Sequence, residues 1–356
     1  MSAAMANLAT VTDVPSHRSH SSAPVRLWLF AVAALVIAMV TVGGATRLTG
    51  SGLSITEWKP IMGAIPPLTD ADWHEAFEKY KQIPQYHQVN KGMSLEAFKS
   101  IFWWEWGHRF LARLVGFAFL VPFLVFLALG YVRRALVPRM VGLFALGGLQ
   151  GAIGWYMVAS GLSERVSVSQ YRLALHLGLA FVILGALIWT ALQLDEEPET
   201  PPASDRFRSG IIVLALAFLQ VELGALVAGM KAGLAYNTWP LMDGQVVPNG
   251  LFIAEPWYAN LFENAMTVQF NHRVVAYVLA AIAAWHIVGV LRSGPATATM
   301  RASAVALGVA ILLQIALGIW TLLAQVPLSL GLVHQFGAAI LFSIAVWHVH
   351  ALKSAR

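Results

Sequence analysis

The chain of 356 residues is 58% hydrophobic and 12% charged, against roughly 45–50% and 25% in soluble domains, which excludes a soluble globule and points to a membrane protein. Its net charge of +5 is therefore read as topology marking and not as a nucleic-acid surface. The sequence has no cysteine, which excludes disulfides, thiolate catalysis, iron–sulfur clusters and covalent c-type haem attachment, so any metal or metal cofactor falls to histidine and carboxylate.

Residues 1–25 are Ser- and Ala-rich with few acids and read as a disordered cytoplasmic tail. They do not read as a signal peptide, because the apolar run that follows is long enough to span; a weak organelle transit peptide stays open. A spanning helix needs roughly 20 mostly apolar residues. Eight such runs are predicted, at about 26–46, 110–131, 138–160, 170–194, 208–230, 266–291, 301–324 and 328–351. The long first connection, 47–109, is rich in Trp, Lys and Glu and predicts short interfacial helices around Asp70–Lys81 and Ser94–Trp104. A second long connection covers 231–265, and 195–209 is a linker. The expected fold is an all-α integral membrane protein with eight transmembrane helices, arranged as two pseudo-symmetric four-helix bundles, 26–194 and 210–352.

Orientation follows from the short connections. Arg18 and Arg26, then Arg133, Arg134 and Arg139, then Arg206 and Arg208, then Arg292 and Arg301, and finally Lys353 and Arg356 mark one face. The alternate short connections carry only Arg165 and Arg172. The positive-inside rule places both termini in the cytoplasm or its organellar equivalent, and both long loops outside. The expected location is a bacterial inner membrane, with the mitochondrial inner membrane as the alternative.

The sequence also repeats itself. Glu105-Trp-Gly-His108-Arg109 is echoed by Gln269-Phe-Asn-His272-Arg273, and Leu149-Gln150-Gly-Ala-Ile-Gly154 by Leu313-Gln314-Ile-Ala-Leu-Gly318, both at an offset of 164. Arg172-Leu-Ala-Leu-His176-Leu-Gly178 is echoed by Gly331-Leu-Val-His334-Gln-Phe-Gly337. In the outer loops Gly52-Leu53, Trp58 and Met62 find partners in Gly233-Leu234, Trp239 and Met242, with an offset of 181 between the two tryptophans. An even number of spans separates the halves, so they run parallel, and a pseudo-two-fold axis along the membrane normal is expected.

His108, His176, His272 and His334 are the informative residues. His176 and His334 fall about six residues inside their helices, or about 9 Å along the axis, and His108 and His272 near the outer ends of theirs. Each half can thus present two imidazoles at similar depth, as the axial positions of a six-coordinate haem require. Arg109, Arg273 and Arg113 are candidate partners for haem propionates. The blander reading is four core histidines bonded between helices. His286, His348 and His350 fall near inner helix ends and are expected at the interface with no assigned role; His17, His20, His74 and His87 lie in tails or loops.

The halves differ at one informative place: Glu105 is answered by Gln269. Glu105 and His108, three apart, share a helix face, and a carboxylate there can move protons or stabilise a developing cation while an amide cannot ionise. The blander reading is a carboxylate at a helix start. Glu222, inside the fifth span, is costly without a partner; a structural pairing, with Arg273 for example, is expected over a part in a haem site. Phe102-Trp103-Trp104-Glu105-Trp106 reads as an aromatic belt.

Five segments together resemble the haem A synthase family. They are Gly43-Gly44-Ala45-Thr46-Arg47-Leu48-Thr49-Gly50-Ser51-Gly52-Leu53-Ser54, Glu57-Trp58-Lys59-Pro60, Glu105-Trp106-Gly107-His108-Arg109, Asn237-Thr238-Trp239-Pro240-Leu241-Met242 and Asn271-His272-Arg273. The resemblance runs from about Val25 to His350. The long first outer loop and the lack of cysteine are similar to its alphaproteobacterial and mitochondrial branch. It implies that His108 and His176 bind substrate haem O and that His272 and His334 bind a haem b cofactor. It further implies that Glu105 is the catalytic carboxylate in oxidation of the C8 methyl to a formyl group through a hydroxymethyl stage. Haem A would go to cytochrome oxidase; a haem O synthase, oxidase assembly factors and a second copy of the chain are candidate partners. The oxygen source, water or dioxygen, stays open. The rivals are a dihaem cytochrome b that only carries electrons, a haem carrier or assembly chaperone, and a secondary transporter.

Overall fold

The structure, a computed structural model, describes residues 22–59, 61–163, 165–194, 205–294 and 296–353. The predicted tail 1–25, apart from its last four residues, and most of the linker 195–209 lie outside the described residues. Eleven α-helices are described: α1 Ala23–Leu48, α2 Asp70–Tyr80, α3 Pro84–Gln88, α4 Leu95–Ala128, α5 Val137–Ala159, α6 Gln170–Gln193, α7 Asp205–Gly229, α8 Asn260–Glu263, α9 Ala265–Leu291, α10 Ala298–Leu323 and α11 Leu328–Lys353. Eight of them, all but α2, α3 and α8, are long and apolar enough to cross a membrane. The protein is thus an all-α, multi-pass membrane protein, with no strand among the described residues.

Polar residues at the starts and basic ones at the ends set the helix limits. Ser94, Asn264 and Thr297 each accept a hydrogen bond from the first turn of α4, α9 and α10, which satisfies donors that have no partner within the helix. Thr69 and Asp72 form a reciprocal capping box on α2. At the opposite ends, arginines donate to helix-terminal carbonyls: Arg47 to Ala228 and Gly229 of α7, Arg133 to Leu194 beyond α6, and Arg206 and Arg301 to Gly289 and Leu291 of α9.

One prediction is corrected here. The interfacial helix expected at Ser94–Trp104 and the span expected at 110–131 are a single helix, α4. No proline interrupts it before Pro122. The charges that dilute its first turns are held on its own surface, with Lys99 paired to Glu96 and Arg109 to Glu105. His108 consequently stands well inside a helix and not at its start.

Within the first four spans, α1 packs on α4 and α6, and α5 on α4 and α6. Within the last four, α7 packs on α9 and α11, and α10 on α9 and α11. Each contact in one set has its counterpart in the other, and α4 and α6 stand diagonally across their ring, as α9 and α11 do across theirs. Between the sets, α1 meets α11, α6 meets α7, and α6 meets α11. Trp28, Phe181, Leu184 and Phe342 lie in the buried core that joins them.

A second correction concerns the histidines at the far ends of the helices. His286 and His348 are only 2% and 1% exposed, and His350 is also buried. Nε2 of His286 lies 2.8 Å from Nε2 of His348, while their Nδ1 atoms lie 2.8 Å from the hydroxyls of Ser209 and Ser303. This chain links α7, α9, α11 and α10. One proton per imidazole satisfies it in either direction, ending on the carbonyl of Met300 or of Arg206.

Candidate functional site

All four informative histidines rest on a glycine of a neighbouring helix. A Cβ built on Gly43 of α1 would lie 3.0 Å from His108, and one on Gly224 of α7 3.3 Å from His272. A Cβ on Gly154 of α5 would meet His176 at 3.0 Å, and one on Gly318 of α10 would meet His334 at 3.0 Å. These are approaches that a side chain would crowd, so the glycines let an edge of each imidazole come close to the neighbouring helix backbone. Gln150, Gln220 and Gln314 donate to the carbonyls of His176, His272 and His334 at 2.9, 2.9 and 2.8 Å, fixing three of the four helix registers.

The histidines pair within their own halves. His108 and His176 lie within electrostatic reach of one another, and so do His272 and His334. They project from the diagonal helices α4 and α6, and α9 and α11. His108 makes no hydrogen bond among the described residues, and Nδ1 of His176 is buried without a partner. In the second half the Gln220 amide nitrogen lies 3.1 and 3.2 Å from Nδ1 and Nε2 of His272, and that of Gln314 lies 3.2 Å from Nδ1 of His334. Two imidazoles on opposite walls of an apolar ring suit the axial positions of a haem.

Beside the first pair, Glu105 is 2% exposed and held by three donors. Its Oε1 accepts from Arg109 at 2.6 Å, and its Oε2 accepts from the Ser54 hydroxyl and the Ile55 amide, each at 2.8 Å. Arg109 also donates to the carbonyls of Ile55 and Glu57 at 2.9 and 3.1 Å. In the second half Arg273 reproduces these bonds: it donates to Oε1 of Gln269 at 3.0 Å and to the carbonyls of Tyr236 and Thr238 at 2.9 and 2.8 Å. Only the second oxygen differs. Where Glu105 accepts, the amide nitrogen of Gln269 donates to the carbonyl of Ala232 at 2.9 Å. Both arginines thus pin the outer loop to the helix that carries the first histidine of each pair; Arg113 does the same to the carbonyl of Lys59 at 3.1 Å.

The expected pairing of Glu222 with Arg273 does not form. Arg273 is taken by loop carbonyls, and Glu222 has no hydrogen-bond or ion-pair partner among the described residues. Its carboxyl lies over Gly178 of α6, where a Cβ would collide with Oε1. The glycine cradles and the buried His286–His348 contact are what sequence reasoning missed. The cradle glycines recur at the repeat offsets and were visible there; the His286–His348 contact has no echo in the first half.

The fold and these residues define a multi-pass helical membrane protein with two matched pairs of glycine-backed histidines. Residues 26–346 match the family described as cytochrome oxidase assembly protein (COX15-CtaA). The heme A synthase of Parvibaculum lavamentivorans is 56% identical over 325 residues, covering 91% of this chain and 93% of that protein. The heme A synthases of Brucella anthropi and Brucella ovis are each 56% identical over 333 residues, covering 93% of this chain and 92% of theirs. The chain belongs to this cytochrome oxidase assembly family.

Proposed function

We propose that the protein is a haem A synthase, an oxidoreductase that converts the C8 methyl of haem O to a formyl group with oxygen from water or dioxygen. His108 and His176 hold substrate haem O in the 26–194 half, and His272 and His334 hold haem b in the 210–352 half. The two halves act as pseudo-symmetric four-helix bundles in a bacterial plasma membrane, with both termini cytoplasmic. Haem b, when bound, supplies a one-electron redox centre.

The observation that carries the reading is the single chemical difference between two otherwise matched clamps, Glu105 against Gln269. A dihaem electron carrier has no use for a carboxylate in one half only. The three donors fill three of the roughly four acceptor positions of a carboxylate. Glu105 is thereby oriented, with room for one more proton on Oε1. It can accept a proton from an attacking oxygen or stabilise positive charge at the methyl carbon. Arg109 and Arg273, engaged by loop carbonyls, serve as loop clamps first and as propionate partners through any donor capacity left over.

The test is pigment analysis of protein purified from cells that make haem O. The expected extract contains haem b together with haem O or haem A. In Glu105→Ala haem b stays and haem A falls by about a hundredfold, the usual scale for loss of acid–base catalysis. An unchanged haem A yield contradicts the assignment of Glu105.

A further inference from the structure

The contact between the halves is flanked by two apolar grooves. One, of about 480 Å³, runs between α1, α6 and α11, with Phe30, Ala34 and Ile37 on its α1 wall. The other, of about 710 Å³, runs along α6 between α5 and α7, and its walls include Leu146, Val182, Gly185, Leu214 and Phe342. At one end the second is lined by Arg139, which donates to Gln193; beyond its other end, past Val182, lies a carboxyl. On α6, Gly185 and Val182 share a stripe with Gly178, one turn further on; on α7, Leu214 shares a stripe with Glu222, two turns further on. Glu222 and Gly178 touch, so the larger groove points to an unpartnered carboxyl. Along the first groove the same stripe of α1 leads to Thr41, which stands opposite Glu222 at the offset of 181 and bonds its own helix at Ile37.

The position of Glu222 is equally specific. It is two residues from Gly224, on which His272 rests, and its contact Gly178 is two residues from His176. At 1.5 Å per residue the carboxyl lies within about 3 Å of the depth of both. Residues two apart face nearly opposite sides of a helix. Glu222 is therefore outside both four-helix rings, separated from each by one helix thickness of about 10 Å.

We infer that this groove binds an isoprenoid quinone, head at Glu222 and tail along α6, and that the quinone is the electron acceptor of the reaction; the second part rests on the proposed function. Oxidising the methyl group with water to the hydroxymethyl stage releases two electrons and two protons, and a quinone that takes both becomes a quinol. The hydroxymethyl group then gives two more of each to a second quinone, leaving the formyl group. The chain has no cysteine to serve as an internal disulfide acceptor. A membrane-soluble carrier of hydrogen is the chemical class that fits an apolar groove headed by a proton-exchanging carboxyl. Glu222 binds a quinone oxygen by hydrogen bond and passes it a proton.

The test uses the full-length protein in nanodiscs. A photoactivatable azidoquinone should label peptides of α6 and α7, and an excess of a short-tailed isoprenoid benzoquinone should protect them. Val182→Trp, which fills the groove from a lipid-exposed position, and Glu222→Leu should each weaken protection about tenfold, the scale of one strong hydrogen bond or its equivalent in packing. Chemically reduced holoprotein should be reoxidised by the quinone without oxygen, about tenfold more slowly in either variant, while reoxidation by ferricyanide stays unchanged. Uniform labelling of lipid-facing peptides, or protection and reoxidation unaltered in both variants, overturns the quinone site. Protein that lacks haem yet retains protected labelling at α6 and α7 keeps the site and sinks the proposed function instead.

Discussion

Glu105 and Gln269 differ by one amide nitrogen, and that nitrogen reverses a hydrogen bond, from acceptance at Ser54 and Ile55 to donation at Ala232. Glu105→Gln is therefore more than loss of charge, since an amide cannot accept at both oxygens and the Ile55 amide loses its acceptor. The variant should keep haem b, lose haem A formation and show faster hydrogen exchange at Ile55; exchange unchanged at Ile55 argues against the clamp. The His286–His348 contact makes a different prediction, about stability. Replacing either histidine by Phe leaves Nε2 of the other buried without a partner, while its Nδ1 keeps the serine hydroxyl, at a cost of about 1–3 kcal/mol. The double replacement should recover part of that, seen as a partial return of the thermal midpoint in a double-mutant cycle. The first site was legible because Glu105 and His108 recur as Gln269 and His272. The second was not: periodicity places a histidine near a helix end but does not say which helix lies opposite.

At the scale of helices and loops, the same four glycines decide whether each pair of helices can close around a flat ligand. Gly154→Leu should abolish substrate haem in the first half and leave haem b, and Gly318→Leu should do the reverse, as read by haem extraction. Loss of both haems from either variant contradicts independent cradles. The first outer loop is fastened to α2 in a pH-dependent way. Hydrogen bonds from Lys59 and Lys79 hold the Glu57 carboxyl below its ordinary value. A depressed carboxylate stabilises the fold above its ordinary range and ceases to do so as the pH falls through the depressed value. Proteolysis within residues 55–69 should thus stay slow at neutral pH and rise only below the ordinary carboxylate range; Lys79→Ala should shift that rise to higher pH. The spans were legible from apolar runs alone, with limits set by caps such as Asn264 and Thr297. The extension of α4 was not, because Glu96, Lys99, Glu105 and Arg109 lower its hydropathy and only the folded chain shows that they pair with each other or with the loop.

In the whole molecule, both described ends of the chain lie on one side of the spanning helices and the long loops on the other. Cysteine introduced at His87 or Asn249 should react with an impermeant maleimide from outside intact cells, and cysteine at Arg208 or Lys353 should not; the native chain, with no cysteine, gives no background. The reverse pattern overturns the orientation read from Arg133, Arg134 and Arg139. The repeat was legible from its offsets, whereas the way the halves meet was not, since Gln335 bonding to Val40 and Arg47 to α7 are contacts between segments without shared motifs. The most direct test of two haems held by paired imidazoles is the absorption spectrum and haem content of purified His108→Ala, His176→Ala, His272→Ala and His334→Ala proteins. The account predicts that the first two lose haem O and haem A and keep haem b, and that the last two lose haem b. Pigment that is unaffected by these substitutions, or a colourless parent protein, contradicts it.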